Sequence, residues 1–131
     1  MVTEIGHITI LVRDQDEALR FYAETLGMEK RSDMAIGNGF RWLTVAPKGQ
    51  KQEIVFVLAA SPEKLARVGT QAADHVFLVL HTDNCRKEAA RLQGLGVKFL
   101  SQPTEQMWGV EAVFQDLYGN VMDLLEPRKM Q

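Results

Sequence analysis

Residues 5–12 alternate with a period of two: Ile8, Ile10 and Val12 on one side, His7, Thr9 and Leu11 on the other. That is the pattern of a half-buried strand. The period then lengthens. Asp14, with Glu17 three residues later, reads as a helix N-cap, and Leu19, Tyr22, Ala23 and Leu26 recur at helical spacing before Gly27 supplies a stop. Strand-like runs return at residues 40–47 and 53–59, joined by a Pro47-Lys48-Gly49-Gln50 turn, with residues 28–32 a weaker strand ahead of them. Residues 61–74 break the pattern: Ser61 and Pro62 start a short helix that Gly69 ends. The earlier order then recurs. A strand at residues 76–80 leads to a cap at Asp83 or Asn84 and a helix whose apolar stripe is Cys85, Ala89 and Leu92. Strands are predicted over 97–100, 110–114 and 121–125, the last after an Asp116-Leu117-Tyr118-Gly119-Asn120 turn.

The recurrence keeps a nearly constant offset. Gly39 to Ala46 aligns with Gly109 to Asp116, and Glu53 aligns with Asp123 at the same offset. The helices, Asp14 to Gly27 and Asp83 to Gly96, align at that offset or one less. A repeat of this length is a duplicated supersecondary module. The fold expected is therefore α+β, with two tandem modules over residues 1–60 and 75–127, a connector over 61–74, and curved mixed sheets around a pocket. In each module the helix covers one sheet face, formed by Ile8, Ile10 and Val12 and then by Val76, Leu78 and Leu80. The opposite faces carry His7, Glu53, Phe77 and Asp123.

Composition narrows the function classes. The 131 residues suffice for one domain or two half-domains, and 46% are hydrophobic and 24% charged, as in globular proteins. A net charge of −2 with interspersed signs offers no basic stripe for nucleic acid or anionic lipid. No apolar run approaches the roughly 20 residues of a membrane span, and the first residues lack the pattern of an export signal. The single cysteine, Cys85, allows no internal disulfide and no paired metal site. A cytoplasmic location is expected.

Three groups of residues carry a resemblance: Gly6-His7-Ile8, Phe21-Tyr22 with Leu26-Gly27, and Asp116 through Gly119-Asn120 to Asp123. Together they resemble the vicinal oxygen chelate superfamily of glyoxalases, bleomycin-binding proteins, fosfomycin-resistance enzymes and extradiol dioxygenases. The resemblance implies paired βαβββ modules. It also implies a divalent metal (Ni, Zn, Mn or Fe) held by one ligand from the first and one from the last strand of each module. Carried onto this chain, those ligands are His7, Glu53 and Asp123, the last an aspartate where glutamate is usual. The repeat puts the fourth ligand at position 77, which is Phe77 and has no lone pair to give. His75 lies two residues earlier on the same face and becomes the ligand if a β-bulge between His75 and Asp83 re-aims the strand.

Two functions follow. With a metal, the resemblance implies a glyoxalase-like isomerase or lyase. Its ion chelates adjacent substrate oxygens and stabilises an enediolate, and Glu53 or Asp123 moves the proton as catalytic base. Without one, the protein is a binding module that sequesters a small hydrophobic or aromatic compound, as bleomycin-binding relatives do. Trp42, Phe77 and Trp108 then line the pocket, and Arg41 grips an anionic group or pairs in solvent with its repeat partner Glu111. Trp108 belongs to a loop-like stretch, residues 102–109, at the pocket rim. Cys85, in a helix stripe, reads as inert. Open sheet edges point to a homodimer.

Overall fold

Strand β1 (His7–Val12) buries Ile10 and Val12 and leaves His7 and Thr9 exposed, as its alternation requires. In this computed structural model, which describes residues 1–129, Asp14 caps helix α1 (Gln15–Leu19) by accepting from the Glu17 backbone N–H. The helix widens into a π-helical segment over Arg20–Thr25, with Leu26 N–H bonding to the Phe21 carbonyl five residues back. Gly27, at φ +80°, then ends it. Three strands follow: β2 (Glu29–Gly37), β3 (Phe40–Ala46) and β4 (Glu53–Leu58). They form a mixed sheet in the order β1-β4-β3-β2, with β1 and β4 parallel. Tyr22 packs against Phe56 at 5.1 Å between ring centroids, both fully buried with Ile10, Val12 and Leu43. Helix α2 (Pro62–Leu65), capped by Ser61, closes the first unit, which runs from Met1 to Val68. Strand β2 is longer than the pattern in residues 28–32 suggests, because its outer half is exposed and carries no alternation to read.

The second unit begins at Gly69. Its backbone, at φ +81°, lies so close to the Tyr118 carbonyl that an added Cβ would overlap it. Strand β5 (Val76–His81) precedes helix α3 (Cys85–Gly94), whose N-cap is Asn84 and whose buried stripe is Cys85, Ala89 and Leu92. Glu126 also accepts from the Cys85 N–H, at 3.0 Å. Strands β6 (Thr104–Gln106), β7 (Gly109–Gln115) and β8 (Val121–Pro127) complete a second mixed sheet, ordered β5-β8-β7-β6. Each unit is thus a βαβββ arrangement in an α+β chain. The strand expected at residues 97–100 is absent. There Leu100 and Ser101 both donate to one carbonyl, that of Val113, and a lone Phe99–Phe114 bridge is all the pairing. Two donors on one acceptor break the ladder, and Pro103, which has no N–H, delays its restart until Thr104.

The two sheets do not repeat at one offset. Glu53 pairs with His7, whereas its repeat counterpart Asp123 pairs with Val79 and not with Phe77. On the other side, continuing the Val45–Ile54 pair by one step sets Ala46 opposite Glu53. The repeat would then put Asp116, the counterpart of Ala46, opposite Asp123, yet Val113 stands there. The match of Gly39–Ala46 to Gly109–Asp116 is therefore three residues out of spatial register.

Candidate functional site

In the first sheet, the face away from α1 gathers the candidate chemistry. The parallel register sets His7 beside Glu53, and His7 Nε2 lies 3.2 Å from Glu53 Oε1. Glu53 Oε2 faces the Arg31 guanidinium at 3.9 Å, and Arg31 also donates to the Pro47 carbonyl at 2.9 Å. A register shift between Lys30 and Ser32 brings Arg31 to this position. Trp42 presents its ring to the His7 imidazole edge-on, with centroids 5.2 Å apart. A cavity of about 210 Å³ opens beside the pair, lined by Glu4, Ile5, Gly6, His7, Lys51 and Glu53. The His7 side chain is 44% exposed and that of Glu53 21%, so a solute reaches the imidazole more readily than the carboxylate.

Arg41 does not belong to this face. Alternation along β3 turns it toward α1, where it forms a two-pronged bond to Asp33 (2.8 and 2.9 Å) and a third to Asp16 at 2.8 Å. The Asp33 bond, then the Asp16 bond, raises the Arg41 pKa, and the same guanidinium lowers that of Asp33. With its donors committed, Arg41 ties the helix start to the β2–β3 hairpin, and its expected grip on a substrate anion is corrected. Glu111, in the second sheet, pairs with Leu125 of β8.

In the second sheet the register decides where Asp123 stands. A bulge between Val76 and Leu78 slides β5 so that Val79 faces Asp123. The slide runs opposite to the one that would have brought in His75, whose Nδ1 lies 3.2 Å from the Val76 carbonyl. Neither Phe77 nor His75 is the counterpart of His7. That position is Val79, an exposed apolar residue with no donor atom. Asp123 instead has Glu111 as its carboxyl neighbour, on the adjoining strand. Burial first, then hydrogen bonding and repulsion from Glu111, push the Asp123 carboxyl up to about 7. Its Oδ1 is buried with no hydrogen-bond partner. Trp108 occupies the turn between β6 and β7, 53% exposed, and its carbonyl accepts from the Arg128 N–H.

Asp116 and Asn120 are buried for a local reason. Asp116 Oδ1 accepts the backbone N–H groups of Tyr118, Gly119 and Asn120 at 2.9–3.0 Å, and Asn120 Nδ2 donates to Oδ2. This closes the turn into β8 and fixes the strand on which Asp123 sits. Cys85 is buried and free, and desolvation raises its thiol pKa, in keeping with an inert role.

The donors present do not fit a metal centre of three or four ligands. Among the described residues, no three His, Cys, Asp or Glu side chains gather as such a set. His7 and Glu53 bond each other and Glu53 meets an arginine. A guanidinium at that distance opposes a second cation. Burial and the neighbouring Glu111 favour the protonated form of Asp123, a proton that a cation would have to displace. Sequence reasoning missed Arg31 and matched Glu111 to Arg41 instead of to Asp123, since each enters through a strand register that no local pattern reports.

The family model described as Glyoxalase/Bleomycin resistance protein/Dioxygenase superfamily matches residues 4–124. An uncharacterised protein of Shewanella frigidimarina (strain NCIMB 400) is 39% identical over 128 residues, 96% of this chain and 95% of its own length. Among solved structures, UcmS2 is 38% identical with a TM-score of 0.83, covering 96% of this chain and 99% of its own. TnmS3, an antibiotic-binding protein from Streptomyces sp. CB03234, is 35% identical with a TM-score of 0.81, covering 97% and 98%. No helix among the described residues is long and apolar enough to cross a membrane. With a family model spanning nearly the whole chain and a near-full-length relative at 39% identity, this protein belongs to the glyoxalase/bleomycin resistance protein/dioxygenase superfamily.

Proposed function

We propose that the protein binds a small aromatic compound without using a metal, sequestering it rather than transforming it. The observation that carries this reading is the closed His7–Glu53–Arg31 network, in which the carboxylate's partners are an imidazole and an internal guanidinium. An enediolate-forming lyase needs a Lewis acid with open positions. Here the first unit supplies two donors that already satisfy each other, and the second has valine in the place of a ligand. Trp42, held against His7, offers the ring on which an aromatic ligand stacks. The likeness to TnmS3, an antibiotic-binding protein, supports a binding role at the level of ligand class.

Two measurements on the unmodified protein test this. Equilibrium dialysis against Ni²⁺ and Zn²⁺ is expected to show no stoichiometric uptake at micromolar concentration. Titration with naphthalene is expected to quench tryptophan fluorescence in the parent and in Trp108→Phe, but much less in Trp42→Phe. Tight uptake of one metal ion per chain, lost in His7→Ala, would return the protein to the metal-dependent reading.

A further inference from the structure

We infer that the ligand carries a hydroxyl on its aromatic ring, and that His7 recognises this group through its Nδ1 as hydrogen-bond acceptor. This rests on the binding reading above and names its ligand class. The argument starts from the proton in the His7–Glu53 bond. A carboxylate beside an arginine accepts only, so the 3.2 Å contact requires the proton on His7 Nε2. In a neutral imidazole, a proton on Nε2 leaves Nδ1 with a lone pair and no hydrogen. Among the described residues no protein group bonds that nitrogen, and the side chain is 44% exposed.

Glu53 therefore sets the tautomer, and Arg31 sets Glu53. Arg31 is itself held by the Pro47 carbonyl at 2.9 Å and faces Glu29 at 3.7 Å. The acceptor is thus oriented before a ligand arrives, which limits the ordering cost of binding. Trp42 adds the second requirement, since its indole lies against the His7 imidazole, within reach of an aromatic ring bonded there. A planar ring with an O–H donor meets both demands. Its methyl ether presents no donor and leaves the acceptor unpaired, and an unpaired polar group is where binding sites discriminate most.

Three probes separate the outcomes: 2-naphthol, 2-methoxynaphthalene and naphthalene, each measured by equilibrium dialysis against the whole chain. The parent should bind 2-naphthol about tenfold more tightly than 2-methoxynaphthalene. His7→Phe keeps a ring and removes the acceptor, so it should bind all three alike. Glu53→Gln frees the tautomer and should lower the preference for 2-naphthol over its methyl ether. If the parent binds the three probes equally, the hydroxyl recognition is overturned and the aromatic-binding reading stands. If the parent binds none of them, the binding reading falls, and this inference with it.

Discussion

Replacing Asp123 by asparagine isolates the consequence of enclosing that carboxyl in the second sheet beside Glu111. Its pKa is raised from 3.8 to about 7, so the folded protein holds this proton more tightly than the unfolded chain. The sign follows: Asp123 is tolerated below the unfolded value, and its charge increasingly destabilises the fold as pH rises from about 4 through 7. At about 1.4 kcal/mol per pH unit, the full displacement would correspond to roughly 4 kcal/mol. The side chain is only partly buried, and solvent screening reduces this to about 1–2 kcal/mol. Asparagine is neutral throughout and keeps a donor for Glu111. Urea unfolding of parent and Asp123→Asn at pH 4.5, 6 and 7.5 should give curves that diverge with pH, the variant gaining about 1–2 kcal/mol relative to the parent by pH 7.5. Glu111→Gln should move the parent's profile in the same direction by a smaller amount. Parallel pH profiles for parent and Asp123→Asn would show that Asp123 titrates alike folded and unfolded, removing one reason for calling it a poor metal ligand.

Other substitutions test the register and the reassigned residues. Val79→His places an imidazole beside Asp123 and should raise Zn²⁺ affinity at least about tenfold in dialysis, while Phe77→His, outside the register, should not. The reverse ranking would put the bulge elsewhere. Arg41→Ala should lower unfolding free energy by about 1 kcal/mol, the value of a well-formed exposed ion-pair network, with naphthalene binding unchanged; lost binding would return Arg41 to the site. Gly69→Ala combines a positive φ with overlap on the Tyr118 carbonyl, and should cost about 2–4 kcal/mol in urea unfolding. A neutral result there would mean that the loop relaxes freely.

Much of this protein is written locally. The alternation in β1, the caps at Asp14, Ser61 and Asn84 and the stripe of Cys85, Ala89 and Leu92 each depend on residues a few positions apart, and each element formed where its pattern stands. The duplication was legible too, because both halves must bury the same kind of helix on the same kind of sheet. His7 and Glu53 stand side by side because no bulge interrupts the pairing of β1 with β4. What the sequence left open is register. The pairing of β5 with β8 stands two residues from the one the repeat predicts, one of them from the bulge after Val76, so that Val79 and not Phe77 lies beside Asp123. Strand β7 meets β8 three residues away from where β3 meets β4. A single-residue slip turns a side chain to the other face of a sheet, and its cause lies in the partner strand rather than in the slipping segment. The chain alone therefore specified the modules and the first unit's polar pair. Strand pairing in three dimensions decided that Arg31 closes that pair, that Glu111 raises Asp123, and that a valine stands where a fourth ligand was sought.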